Sequence, residues 1–263
     1  MSDFILEAQQ LRKVFGGLVA VNDVSIQVEQ GGMHSIIGPN GAGKTTLFNL
    51  LSGNLPPTSG RLLYKGKDIT RLPLHRRAHI GIGRSFQITN IYPNFTVFEN
   101  VRLAAQALDG AGMVIFTHFG RFSSYERKAL EAIEAVGLMG METIPASVLP
   151  HGDKRKLELA IILASDPQLL LLDEPTAGMA TEQVPELMGT IDSIRRIGDK
   201  TIMLVEHNMS VVMSVSDKIT VMNYGAVLAE GTPEEIAKNP TVQSAYLGEL
   251  YGDFDDMAQG KSR

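Results

Sequence analysis

The stretch Gly38-Pro39-Asn40-Gly41-Ala42-Gly43-Lys44-Thr45-Thr46 holds the residue types and the spacing best suited to chemistry. It fits G-x-x-x-x-G-K-[ST], a loop that wraps a polyphosphate. Its glycines admit positive φ, which lets backbone N–H groups approach an anion closely. A helix opening near Lys44 directs its positive end at the same charge. Lys44 then reaches the β- and γ-phosphates, and the Thr45 hydroxyl can ligate Mg²⁺. The flanks agree. Met33 to Ile37 reads as a buried strand feeding the loop, and Leu47 to Leu51 continues as helix. The expectation is a nucleoside triphosphate held by Asn40, Gly41, Ala42, Gly43, Lys44, Thr45 and Thr46.

A second constellation is Leu169-Leu170-Leu171-Leu172-Asp173-Glu174-Pro175. Four apolar residues ending in two carboxylates describe a buried strand that presents acids at its carboxyl end, where α/β proteins bind ligands. Asp173 is suited to holding Mg²⁺ through water, and Glu174, one residue on, to polarising an attacking water as general base. Two solvated acids at a turn is the plainer reading of the same residues.

The surrounding elements must bring these groups into position. Residues 4–37 alternate apolar and polar around Gly16-Gly17, which predicts two or three strands. The loop helix ends near Gly53, and Leu62 to Tyr64 and Ile80 to Phe86 read as further strands. Val97 to Ala164 is helical in pattern, with a looser piece from Asp109 to Ser124. Strand and helix then alternate: Leu169 to Asp173, Val184 to Ile197, Thr201 to Val205, Met209 to Val215. That alternation predicts a mainly parallel sheet with helices on both faces. A hairpin, Lys218 to Met222 and Ala226 to Ala229, turns at Tyr224-Gly225, and two short helices follow. Gly252 to Arg263 is polar and reads as a frayed end.

Composition narrows the class. With 263 residues, 44% hydrophobic and 20% charged, the chain has the make-up of a soluble globular protein. A net charge of −5 supplies no global basic surface for nucleic acid. Cysteine is absent, which excludes disulfides and thiolate chemistry. Met1 to Phe4 does not open a secretion signal, and no uninterrupted apolar segment approaches the ~20 residues of a membrane span. The expected location is cytoplasmic, with any membrane contact made through a partner.

Together these residues resemble the ATP-binding subunits of ABC transporters over nearly the whole chain. The resemblance implies an α/β, P-loop NTPase fold with a mainly parallel core sheet, an N-terminal antiparallel β-subdomain and an inserted helical subdomain. It implies a single domain over about 1–250, with core from about 1–95 and 165–250, helical part about 96–164, and a polar tail at 251–263. Phe86-Gln87 is similar to the family's Q-loop, whose glutamine ligates Mg²⁺ and links ATP to the membrane subunit. Val205-Glu206-His207-Asn208 is similar to the switch segment, in which His207 contacts the γ-phosphate. Phe15 and Val21 fall in the nucleotide site, Phe15 as the aromatic that stacks on adenine. On its own each is more ordinary: a strand-end histidine, a core phenylalanine.

The family signature, usually Leu-Ser-Gly-Gly-Gln, maps onto Leu149-Pro150-His151-Gly152-Asp153. It would engage the nucleotide of a second subunit from a helix N-terminus. Pro150 removes a hydroxyl and an N–H, and Asp153 brings a carboxylate toward phosphate, yet both suit the start of a helix. Lys154-Arg155-Lys156 could offset that added charge or form an ordinary solvated face. Ala180 stands where the family's D-loop has aspartate. Phe15 to Val21, the altered signature, Gly231-Thr232-Pro233-Glu234-Glu235 and Ala245-Tyr246-Leu247-Gly248-Glu249 resemble the importers of branched-chain amino acids. That implies ATP and Mg²⁺, a second ATPase subunit, permease subunits at the inner face of the membrane, and indirectly a periplasmic solute-binding protein, with no nucleic acid. An apolar run, Met113 to Phe119, either faces a membrane subunit or packs on the helical segment. Three alternatives stay open: an importer of urea, amides or aromatic acids; a soluble ABC ATPase acting on ribosome or nucleic acid; and a low-turnover nucleotide-sensing subunit.

Overall fold

Alternating burial builds the first sheet. In the computed structural model, which describes residues 4–85, 91–107, 119–198 and 200–246, β1 (Phe4–Phe15) and β2 (Leu18–Glu29) form an antiparallel hairpin. Val24, Ile26 and Val28 of β2 bury on one face while Asp23, Ser25 and Gln27 stay exposed, the period of a half-buried strand. Strand β4 (Ser59–Tyr64) pairs antiparallel with β1, and β5 (Lys67–Asp68) with β4, giving the order β2-β1-β4-β5. The expected Q-loop residues Phe86 and Gln87, the 109–118 piece, residues 247–249 and the 251–263 tail lie outside the described residues.

The chain divides into two compact units, residues 1–74 with 201–263 and residues 75–200. In the first, β3 (Met33–Ile37) is buried at every position and lies parallel to both β8 (Thr201–Val205) and β9 (Lys218–Asn223). A parallel strand covered on both faces has no solvent side, so its two polar residues are paired, His34 with Thr220 and Ser35 with Ser216. Strand β10 (Ala226–Gly231) closes the expected hairpin antiparallel to β9 through Tyr224-Gly225. Helix α1 (Lys44–Ser52) follows β3 and stops at Gly53, as the sequence predicts. Asn208 caps α7 (Met209–Val215) by accepting from Val211 N, and Thr232 with Glu235 forms a reciprocal capping box on α8 (Pro233–Ala237). With α9 (Pro240–Tyr246), these helices enclose Ile37, Val212, Ile219, Val221, Ile236 and Val242.

The second unit contains the parallel pair β6 (Ile82–Arg84) and β7 (Leu169–Asp173). Four longer helices accompany it: α3 (Val97–Ala107), α4 (Phe119–Ala135), α5 (His151–Leu163) and α6 (Val184–Gly198). Short α2 (Leu74–His79) precedes them. The looser piece expected to run to Ser124 gives way to helix at Phe119. Buried Tyr125, Ala129, Ala132 and Ile133 fix the helical phase there, and extending a formed helix costs little. Thr96 and Glu99 cap α3 reciprocally, at 2.8 and 3.1 Å. Gly83 has no room for a side chain, since a Cβ there would sit 2.6 Å from Ile162 Cγ2. The strands thus belong with the helices in this unit, which is larger than the 96–164 helical segment.

One buried polar relay sits in the first unit. Thr220 Oγ1 donates to Glu230 Oε2 at 2.8 Å and stands 2.7 Å from His34 Nε2. A hydroxyl has one proton, so His34 Nε2 must be the donor to it and Nδ1 the bare nitrogen. Protonating Nδ1 would place a cation on a buried atom with no hydrogen-bond partner. Burial therefore pushes the His34 pKa down from 6.5 to about 4, with Glu230 opposing and Lys218 assisting. A histidine whose folded pKa is depressed contributes stability above its unfolded value and loses it on acidification. We expect thermal stability to fall as pH drops from 6.5 through 4, by up to about 3 kcal/mol from this group. His34→Gln, which keeps a donor for Thr220, should flatten that slope in melts taken at successive pH values. An unchanged slope would assign acid sensitivity to other groups.

Candidate functional site

Packing of three backbone segments shapes the phosphate loop. Gly43 has φ 97°, and a Cβ on it would lie 2.4 Å from Ala20 O and 3.3 Å from Gly225 Cα. Gly225 N donates to Ala42 O at 3.0 Å, while its own carbonyl accepts from Asn22 N at 2.7 Å. The hairpin turn at Tyr224-Gly225 thereby joins the loop to β2. Gly43 is the N-cap of α1, and no side chain caps that helix start. Its N–H groups, with the helix dipole, are suited to an anion. Lys44 is buried and folds back on the loop, donating to Gly38 O at 2.6 Å and Pro39 O at 3.1 Å. An incoming phosphate would exchange those carbonyls for stronger charge-assisted contacts.

Asn40, Gly41 and Thr45 are exposed, Thr46 is half-buried and Ala42 is buried. Phe15 is 45% exposed at the end of β1, with the Lys13 ammonium 5.1 Å from its ring centre, so its face can receive a flat ligand. Val21 differs. It is fully buried, and its side chain belongs to the core rather than to a nucleotide-facing surface. His207 is exposed just beyond β8, and its backbone N–H donates to the buried Glu206 carboxylate at 3.1 Å. All these residues lie in the first unit.

The acids lie in the second unit. Asp173 ends β7 with its side chain only 1% exposed. Its backbone N–H donates to Ser85 Oγ at 2.9 Å, and Arg84 Nη2 lies 3.5 Å from its Oδ2. Burial lowers the Arg84 pKa, and the Asp173 charge works against that shift. A cavity of about 20 Å³, room for one water molecule, is lined in part by Ser85, Glu158 and Asp173. Glu174 is half-buried at φ 50°, a left-handed conformation that non-glycine residues hold only where their surroundings impose it. The sequence points to both acids but not to Arg84 and Ser85. A charged residue ending the short strand Ile82-Gly83-Arg84 was the available signal.

In the signature, Pro150 is the N-cap of α5, and the helix forms directly after it. Proline costs nothing there because the first N–H groups of a helix have no intrahelical partner. Asp153 lies in the first turn, 3.8 Å from Lys156, which also pairs with Glu186 at 2.5 Å. Arg155 bonds Glu158 at 2.9 Å and Ala177 O at 3.0 Å, and Lys154 bonds Ser147 O at 3.1 Å. The three cations are thus engaged within the second unit rather than forming a solvated face. Arg155 in particular ties the signature helix to the turn that follows Glu174.

The Thr45 hydroxyl in the first unit and the Asp173 carboxylate in the second are each hard oxygen donors of the kind Mg²⁺ takes, and Gln87 lies outside the described residues. Among the described residues no group of three or more His, Asp or Glu offers an all-protein metal cage. No helix among them is long and apolar enough to cross a membrane.

Known proteins resemble this chain in sequence and fold. Residues 21–177 match the ABC transporter family, and residues 226–251 match the branched-chain amino acid ATP-binding cassette transporter family. The chain is 41% identical over 254 residues to the high-affinity branched-chain amino acid transport ATP-binding protein BraF of Pseudomonas aeruginosa, covering 95% of this chain and 100% of BraF. It is 40% identical over 256 residues to the LivG protein of the same description from Escherichia coli K12, covering 95% and 100%. Among solved structures, the ADP conformation of MJ1267, an ATP-binding cassette of an ABC transporter, superposes with TM-score 0.83 at 29% identity, over 94% of this chain and 99% of that one. A nucleotide-free ATP-binding cassette from an ABC transporter gives 0.80 at 28% identity, over 94% and 100%. The chain belongs to the ABC transporter family, on the branch of the branched-chain amino acid ATP-binding proteins.

Proposed function

We propose that this chain is the ATP-binding and ATP-hydrolysing subunit of a solute importer for branched-chain or other hydrophobic amino acids. The observation that carries it is the joint presence of a shaped phosphate loop and the buried β7 acid, in a chain 41% identical to BraF along its length. Lys44, the loop N–H groups and the start of α1 hold the phosphates, and Phe15 stacks on adenine. Thr45, Gln87 and Asp173 would hold Mg²⁺, which when bound offsets phosphate charge. Glu174 takes a proton from water as the water oxygen attacks the γ-phosphorus. The bond from that phosphorus to the β–γ bridging oxygen breaks, leaving ADP and phosphate. His207 contacts the γ-phosphate. A second ATPase subunit supplies Pro150, His151, Gly152 and Asp153 or their equivalents across the nucleotide. Permease subunits hold the pair at the inner face of the membrane, and a periplasmic protein delivers the solute.

Replacing Glu174 with Gln removes the base and keeps the phosphate contacts. Hydrolysis should fall at least ~100-fold while ATP binding survives and an ATP-bound dimer accumulates in size-exclusion chromatography. Full-rate hydrolysis by that variant would remove Glu174 from the role of base.

A second reading, a subunit with low turnover, rests on Pro150, Asp153 and Ala180. Since a signature serves the partner's nucleotide, its substitutions weaken the opposite site and leave this chain's own loop sound. Pro150→Ser with Asp153→Gln should raise ATPase turnover of the reconstituted transporter roughly two- to fivefold, an effect of about 0.5–1 kcal/mol. Unchanged turnover would mean that the altered signature is already competent.

The solute is read in cells. Deleting the gene should reduce uptake of leucine, isoleucine and valine. Normal uptake of all three with loss of urea or aromatic-acid uptake would reassign the solute and leave the ATPase chemistry intact.

A further inference from the structure

The short strand leading to the glutamine segment ends against the acid assigned to the metal. Strands β6 and β7 run parallel, with Arg84 opposite Leu171. Beyond that register, Ser85 N donates to Leu171 O at 2.9 Å, and Asp173 N donates to Ser85 Oγ at 2.9 Å. Ser85 thus makes two bonds that fix the backbone from which the Asp173 carboxylate projects. Arg84 adds charge, with Nη2 3.5 Å from Oδ2 and the two side chains 7% and 1% exposed.

A carboxylate so buried needs compensation, because water is not there to solvate it. The separation is long for a charge-assisted hydrogen bond, which is usually about 2.7–2.9 Å. At 3.5 Å this contact is more electrostatic than directional. A divalent cation at Asp173 meets a permanent positive charge a few ångströms away, and at low dielectric that repulsion is large. Polyphosphate reverses the balance by bringing negative charge of its own.

On the reading of Asp173 as a metal ligand, we propose that Arg84 is a positioning residue that holds the Asp173 carboxylate and makes divalent-cation binding there depend on nucleotide. With Arg84 in place, carboxylate and guanidinium together are close to neutral and attract bare Mg²⁺ poorly. The ion enters with the triphosphate.

The test is Mn²⁺ binding to the full chain, followed by the electron paramagnetic resonance signal of free Mn²⁺, with and without the non-hydrolysable imido analogue of ATP. Wild type should bind Mn²⁺ weakly alone and tightly with the analogue. Arg84→Gln should tighten binding about tenfold without the analogue, shrinking the nucleotide dependence. Arg84→Lys, which keeps the charge, should stay within about threefold of wild type. A merely structural role for Arg84 predicts the opposite sign, since loosening the strand end weakens a metal site. Unchanged or weaker Mn²⁺ binding by Arg84→Gln overturns the proposal, and Arg84→Met, which keeps the apolar stem, takes its place should Arg84→Gln not fold. Asp173→Asn separates the two readings. If it leaves Mn²⁺ binding with the analogue unchanged, the ligand assignment fails. If it weakens binding and also abolishes the gain in Arg84→Gln, both stand.

Discussion

The first unit depends on the close approach of backbone to backbone at Gly43. Ala20 O occupies the space a side chain would need, Gly225 Cα lies on the same side, and Gly225 links Ala42 O to Asn22 N. Three segments remote in sequence thereby set the curvature of one loop. That curvature brings successive N–H groups to where an anion can be held. Without it, the residues after β3 would be an ordinary glycine-rich turn. The hairpin β9–β10 accordingly shares in shaping the loop through the backbone of Gly225.

The second unit solves a different problem, that of burying acids at a strand end. Asp173 is almost fully enclosed, and Ser85 and Arg84 supply a hydrogen bond to its backbone and a charge beside its carboxylate. Glu174 follows in a left-handed conformation, so the two adjacent carboxylates leave the strand under different backbone constraints. Arg155 extends the same framework by gripping the Ala177 carbonyl from α5.

The departures from the usual signature are tolerable on these grounds. Pro150 stands where a helix leaves N–H groups without partners, and Asp153 is compensated within its own helix by Lys156. Folding of the helix is unaffected, in keeping with the local rules of proline and acid placement.

Much of this was determined by the chain as written. Strand β7, the start of α1 at Lys44, the turn at Tyr224-Gly225 and the helical start after Pro150 follow from local patterns: an unbroken apolar run, a glycine-rich loop and a proline where an N–H is dispensable. The candidate phosphate, metal and base residues Lys44, Thr45, Asp173 and Glu174 were legible for the same reason, because each motif is contiguous and its chemistry depends on adjacent residues. Tertiary structure alone decided that Val21 is core, that α4 begins at Phe119, that His34 is a buried neutral imidazole, and that Arg84 and Ser85 bear on Asp173. Each of those depends on contacts between segments tens of residues or more apart, where burial and proximity, not residue type, set the outcome. An arginine in a short strand can equally face solvent or a buried acid. Only the register of β6 on β7 selects between them.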